Sequence, residues 1–148
     1  GVDGVQIFDS HASLAPDGEY ENMSGMWIKS VLDKLDGRTR TIVFAPKMSE
    51  RFAEISHLGA DAYSVDGSVG LPSLRCGETN RYCLQGNLNP ELLSAASAGE
   101  VAAQTKKIVE EMLPYGRHIF NLGHGIKPDA KIENVEAMCR AVKSFENS

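Results

Sequence analysis

Two stretches decide how this chain is read: Leu84-Gln85-Gly86-Asn87-Leu88-Asn89-Pro90 and Phe120-Asn121-Leu122-Gly123-His124-Gly125-Ile126. Each is a short apolar run, of the length and composition of a strand, that breaks into a glycine-rich polar turn. Both therefore place polar groups at the carboxyl end of a strand. In α/β proteins that end carries the chemistry, because the loops there are free to vary while the strands beneath hold them rigid.

Outward from these two segments, strand and helix patterns alternate. Period-two runs predict strands over residues 4–9, 41–45, 60–66, 81–86 and 118–122. Between them, helical spacing predicts helices over 19–35, 49–58, 71–75, 100–113 and 132–145, with Gly37 and Gly59 as stops. The expected inward stripes are Tyr20, Met23, Trp27, Val31 and Leu35 in the first helix, and Phe52 and Ile55 in the second. The fourth shows Val101, Thr105, Ile108, Val109 and Met112, and the last Ile132, Val135, Cys139 and Val142. Strands separated by helices imply parallel neighbours joined by right-handed crossovers. This pattern is shared by an open doubly wound sheet and by part of a barrel. No GxGxxG or Walker loop follows the first strand, which removes support from a nucleotide-binding open sheet.

The two opening segments closely resemble the LQGNLDP and NLGHG signatures of the uroporphyrinogen decarboxylase family. The resemblance extends through Gln6-Ile7-Phe8-Asp9-Ser10-His11-Ala12, Ile42-Val43-Phe44-Ala45 and Val65-Asp66, in the family's order and rough spacing. It implies a TIM (β/α)8 barrel that removes carbon dioxide from the four acetate side chains of uroporphyrinogen III, giving coproporphyrinogen III without a cofactor or metal. Three positions depart from the family pattern: Asn89 stands for Asp, Gly67 for Trp, and Pro46-Lys47 for a Lys directly after Phe-Ala. A complete eightfold barrel needs roughly 200 residues or more. The 148 residues are therefore expected to form a C-terminal segment of one barrel, its last five strands with their helices, the N-terminal half being a missing partner. A compact smaller α/β fold is the alternative.

Among candidate site residues, His124 lies between two glycines, which clear side-chain bulk so that a ligand can reach backbone and imidazole. Composition alone leaves a solvated or helix-capping loop histidine open. The resemblance makes His124 a cleft residue facing the substrate's carboxylates. Ser10 falls on the Gln6 and Phe8 face of the first strand, which is inward in a barrel, and reads as a substrate hydrogen-bonder or as a plain turn serine. No Gly-x-Ser-x-Gly elbow surrounds it, so it is not a nucleophile. Phe8 resembles the family residue whose backbone N–H meets the substrate, its side chain reading equally as core. Asp66, Asn87 and Asn121 are expected to cap helices or tie adjacent loops, and Gln85 to fill the interior through a bond to a neighbouring strand. Lys47 reads either as a group that attracts carboxylates or, as its offset from the family pattern favours, as a solvated lysine. The family's aspartate, arginines and tyrosine fall in the missing half, so no catalytic residue is assigned within this segment.

Composition bounds the alternatives. Apolar content of 42% with 24% charged residues is ordinary for a globular domain, and no apolar run is long enough for a membrane helix. A net charge of −5 argues against nucleic acid. It also fits half of a site whose arginines lie elsewhere. Cys76, Cys83 and Cys139 are odd in number and lack the close spacing of zinc or redox motifs, which suggests reduced thiols in an intracellular compartment. The expected setting is the cytoplasm, or a plastid if the parent carries a transit peptide, and the intact protein is expected to be a homodimer. Related barrels include zinc-dependent methyltransferases of corrinoid or thiol substrates, with His-x-Cys on one strand end and Cys on the last. Here Phe44-Ala45-Pro46 and Leu122-Gly123-His124 occupy those places, without thiolates. A noncatalytic α/β binding module is the third reading.

Overall fold

Strand order resolves the choice that periodicity leaves open. The computed structural model describes residues 1–75 and 81–145. Its five strands are β1 (Gly4–Phe8), β2 (Arg40–Phe44), β3 (Ala62–Ser64), β4 (Cys83–Leu88) and β5 (His118–Leu122). They pair in parallel in strict chain order, β1-β2-β3-β4-β5, within a single sheet. A doubly wound sheet reverses its order at a switch point and covers both faces, whereas sequential order with helices on one face is the barrel pattern. The fold is thus part of a TIM-type barrel, with β1 and β5 as its open edges.

The two faces of the sheet divide the labour. Outward residues Ile7, Val43, Tyr63 and Leu84 join the main core with Ile28 and Leu32 of α1 (Met26–Leu35) and Met112 of α3 (Ala98–Met112). Phe52, Tyr63 and Tyr82 stack edge-to-face there, with centroids 4.9 to 5.7 Å apart. The inward face is polar and aromatic, with Gln6, Phe8, Phe44 and Ser64 lining a common hollow. Gln85 meets its expectation: its buried amide Nε2 donates to Ser64 Oγ at 3.2 Å and to Gln6 Oε1 at 3.4 Å.

Strand β5 spans the predicted residues, and β4 runs two residues further than expected, to Leu88. Residues 49–58 form a 3-10 segment (Ser49–Glu54) and turns rather than a full helix, yet bury Phe52 and Ile55 as predicted. A short helix absent from the prediction, α2 (Glu91–Ala95), precedes α3, whose start is fixed by a Ser97–Glu100 capping box.

Two helical stripes differ from expectation. Before α1 the chain makes a π turn, Glu21–Gly25, which inserts one residue into the helical register. The buried positions become Tyr20, Gly25, Ile28 and Leu32, leaving Met23, Trp27 and Val31 exposed. Gly25 permits this packing, since a Cβ there would stand 2.6 Å from Glu21 Oε2 and 3.4 Å from Leu58 Cδ2. In α4 (Ile132–Lys143) the buried residues are Asn134, Ala137 and Ala141, whereas Ile132 and Cys139 are exposed. Asn134 is drawn inward because its amide donates to the carbonyls of Leu93 and Ala96 at 3.0 and 2.9 Å, closing the end of α2. No helix among the described residues is long and apolar enough to cross a membrane.

Candidate functional site

The loops after the strands converge on a cavity of about 450 Å³ at the carboxyl end of the sheet. Ser10 and His124, singled out in the sequence on opposite sides of the chain, both line it, together with Ser13, Lys47, Asp66 and Asn89. Phe8 lies beside it in the inward hollow, which His124 also borders. Phe8, Phe44 and His124 form an aromatic row, with centroids 5.9 Å and 6.2 Å apart and edge-to-face geometry.

Each side chain is placed by local structure. Asp9 accepts a 2.6 Å hydrogen bond from Ser24 Oγ, which ties the turn carrying Ser10 to the helix that follows. The buried Tyr20 hydroxyl beside them has its pKa raised, first by burial and then by the charge of Asp9, so it stays protonated. Phe8 presents its backbone by ladder alternation. Asp9 N–H donates to Phe44 O and Arg40 N–H to Asp3 O, so odd-numbered residues of β1 bond to β2. The N–H of Phe8 therefore faces the open side of the strand. At His124, Nδ1 accepts the N–H of Gly125 at 2.8 Å. That bond assigns the proton of a neutral imidazole to Nε2, which leaves Nε2–H as a donor for a ligand. Gly123 is required by close approach: a Cβ there would lie 2.6 Å from Gly67 N and 3.0 Å from Asp66 C.

Asp66 is the knot of the mouth. Its Oδ2 accepts the N–H of Lys47 at 2.7 Å, its Oδ1 that of Ser68 at 2.9 Å, and its own N–H donates to Ser49 Oγ. Burial pushes its carboxyl up, but the hydrogen bonds from Ser68, Lys47 and Ser49 outweigh it, and the net pKa is lowered. Asn87 adds the next tie, donating to the carbonyls of Asp66 and Val69 at 2.8 and 2.7 Å. Both residues thus do the loop-tying work expected of them. Asn121 is exposed and its Oδ1 accepts the N–H of Leu122. Asn89 accepts the N–H of Glu91 at 3.0 Å, a cap that its amide oxygen makes as an aspartate would. At Gly67 a Cβ would meet only ordinary contacts at 3.7 to 3.8 Å, so the glycine leaves room in the cavity.

Ser13 is a lining residue that sequence reasoning missed, and Lys47 is one for which it favoured the solvated reading. Lys47 is exposed, as expected of a solvated lysine, and it also lines the cavity and holds φ at 64°. A non-glycine residue there carries about 1–2 kcal/mol of backbone strain. The offset of Lys47 by one residue behind Pro46 was its only signal. For Ser13, the signal was its spacing of three from Ser10 in a tight turn. Other polar residues serve the fold: His118 Nε2 donates to Gly86 O at 2.8 Å, and burial, aided by the charge of Arg75, lowers its pKa.

Among the described residues no three His, Cys, Asp or Glu side chains are grouped to hold a metal ion. Cys83 lies in β4 and Cys139 on the exposed side of α4, both unpaired, and Cys76 falls outside the described residues. Burial raises the pKa of the Cys83 thiol.

A sequence profile of the family "Uroporphyrinogen decarboxylase (URO-D)" matches residues 1–145. The chain belongs to the uroporphyrinogen decarboxylase family. Among curated relatives it is 34% identical over 149 residues to a uroporphyrinogen decarboxylase of Magnetococcus marinus, and 34% identical over 144 residues to one of Thermoplasma acidophilum. In both cases 97% of this chain is aligned but only 42% of the relative, so the chain spans less than half the length of the proteins it matches. Among solved structures, a methyltransferase from Methanosarcina mazei superposes with a TM-score of 0.80 over 99% of this chain and 43% of its own. At 19% identity that likeness concerns the fold.

Proposed function

We propose that the intact protein containing this chain is a uroporphyrinogen decarboxylase, and that residues 1–148 are the C-terminal segment of its single barrel. The observation that carries this reading is the meeting of Ser10 and His124 at one cavity, beside the open N–H of Phe8. Family membership and the names of the curated relatives support the same substrate class. A cytoplasmic, homodimeric parent belongs to the proposal.

Decarboxylation of a pyrrole acetate needs a sink for the electrons of the breaking carbon–carbon bond. Protonation of the electron-rich pyrrole provides an iminium within the substrate itself. Carbon dioxide then leaves, and its bonding pair neutralises the iminium and leaves an exocyclic methylene. A proton added at that carbon completes the methyl group, and the proton first taken up by the ring departs to restore the pyrrole. The residues of this segment bind and orient. Nε2–H of His124, the hydroxyl of Ser10 and the N–H of Phe8 are donors suited to carboxylate arms, held by rigid strand ends in a partly enclosed site. The aromatic row of Phe8 and Phe44 offers an apolar wall for a ring face.

The test is anaerobic incubation of the intact protein with uroporphyrinogen III, with and without a chelator, followed by chromatography of the oxidised porphyrins. Coproporphyrin should accumulate at the same rate in both. Turnover that disappears on zinc removal and returns with zinc would place the protein with the methyltransferases, and absence of turnover would favour a binding module. His124→Asn should weaken turnover by roughly 1.5–3 kcal/mol, the worth of a hydrogen bond to a charged group, with the melting temperature nearly unchanged.

A further inference from the structure

The mouth cavity is lined by a lysine that stands one residue later than the lysine of the family pattern. Lys47 follows Ala45-Pro46 and lines the same cavity as Ser10 and His124. Lys47 is exposed, and two features of its backbone separate it from an ordinary surface lysine. Its backbone sits at φ 64°, a conformation glycine adopts freely and lysine does not. Its N–H is gripped by Asp66 Oδ2 at 2.7 Å, so the next strand end fixes the direction of the residue. Its ammonium makes no hydrogen bond or ion pair among the described residues.

The charge balance of the cavity makes that ammonium available. Asp66 is the carboxylate among the described lining residues, and its two oxygens are occupied by the N–H groups of Lys47 and Ser68. Lys47 and Asp66 thus bring one charge of each sign to the lining, but the ammonium of Lys47 makes no ion pair with that carboxylate and stands free next to the donors of Ser10 and His124. The strained backbone of Lys47 ties its loop to Asp66, but its charge makes no bond within the fold, and such strain gathers at ligand-binding positions. An anionic ligand supplies the missing partner.

We propose that Lys47 is a specificity-determining residue of this site, whose ammonium binds a carboxylate arm of an acidic tetrapyrrole. The identity of the ligand rests on the decarboxylase reading; the role of the charge is tested apart from turnover. The probe is uroporphyrin I, the stable oxidised octa-acid, titrated by fluorescence into the intact protein and its Lys47→Gly, Lys47→Met and Lys47→Arg variants. At low salt, Lys47→Gly and Lys47→Met should bind about tenfold more weakly, and Lys47→Arg within about threefold of wild type. At about 0.5 M salt the gap should close, because the Debye length falls to a few ångströms. Lys47→Gly should melt at or above wild type, since glycine relieves the strained φ. With uroporphyrinogen the loss should fall on KM rather than kcat.

Equal affinity of wild type and both neutral variants at low salt overturns the proposal, as does a deficit that persists unchanged at high salt. A wild type that does not bind uroporphyrin overturns it too. Lys47-dependent binding without release of carbon dioxide sustains Lys47 and removes the decarboxylase reading. Turnover with no dependence on Lys47 does the reverse.

Discussion

Gly123 and Gly125 flank the same histidine, yet the structure assigns them opposite tolerance for a methyl group. At Gly123 an added Cβ meets Gly67 N at 2.6 Å, Asp66 C at 3.0 Å and Asp66 Cα at 3.2 Å, all backbone atoms that cannot swing aside. At Gly125 nothing lies within 4 Å. Carbon and nitrogen settle no closer than about 3.4–3.5 Å, so Gly123→Ala must open the β3–β5 mouth by about 0.8 Å. It must also strain the 2.8 Å bond from Gly123 N–H to Leu88 O. Overpacking of this kind costs about 1–3 kcal/mol, and a displacement near 1 Å at a site can cost up to about a hundredfold in rate. In the intact protein, Gly123→Ala should melt several degrees lower and lose ten- to a hundredfold in kcat/KM on uroporphyrinogen, by the same estimates. Gly125→Ala should stay within about 0.5 kcal/mol of wild type. Differential scanning calorimetry with steady-state kinetics reads both. If the two alanine variants prove indistinguishable, the close approach of the β5 loop to Asp66 and Gly67 is wrong.

Three further outcomes are expected. Asp66→Asn removes a carboxylate whose pKa is lowered in the folded protein, so the stability it contributes is present above its ordinary value of 3.8 and is lost as pH falls through the folded value. The difference in unfolding free energy between wild type and variant should be full at neutral pH and shrink below about pH 4, and a gap independent of pH would refute that assignment. Asn134→Ala removes the side-chain donor to the carbonyls of Leu93, which keeps the N–H of Lys131, and Ala96, and should lower stability by about 1–2 kcal/mol in urea titrations, whereas an unchanged midpoint would show that α2 does not need this tie. The isolated 148-residue chain should be inactive and self-associate at its open strands, so a stable monomer in size-exclusion chromatography with light scattering, or turnover without a partner, would contradict the partial-barrel account.

The strand ends were legible because their signals are local. The apolar run ending at Asn121 and the Gly-His-Gly turn follow from composition alone, and β5 falls on the predicted residues. Asp66 and Asn87 read correctly as ties because short polar side chains after a strand have few other uses. Lys47 was legible only in part. Its exposure fits the solvated reading, but that it also lines the cavity depends on its φ and on the partner of its N–H, which is Asp66, nineteen residues away. Helix α2 was hidden because Asn89-Pro90 reads as a loop, although an Asx residue before Pro and Glu is also how a helix begins.

The two misplaced apolar stripes share a location at the open edges of the sheet. Met23, Trp27 and Val31 belong to the helical stretch after β1, and Cys139 and Val142 to α4 after β5, the two strands with an open side. In α4, Cys139 and Val142 line a hollow of about 350 Å³ with Phe120 and Leu122 of the edge strand. Helices at the centre of the segment, such as α3, bury the stripe that periodicity expects, with Val101, Thr105 and Met112 all nearly inaccessible. Periodicity therefore holds where both neighbours are present. It departs where a closed barrel would have supplied a further strand and helix, although the π turn alone accounts for the shift in register at Gly25. Apolar side chains on an edge helix are costly to expose, at about 25 cal/mol per Å². Their presence on both edges is what a segment spanning 42% of its relatives' length would carry if the remainder closes over it. Co-expression with the N-terminal part of such a relative should then protect Trp27 from solvent, seen as a blue shift of its fluorescence. An emission maximum unchanged by a partner that restores turnover would place Trp27 on the outer surface and leave the α1 stripe unexplained.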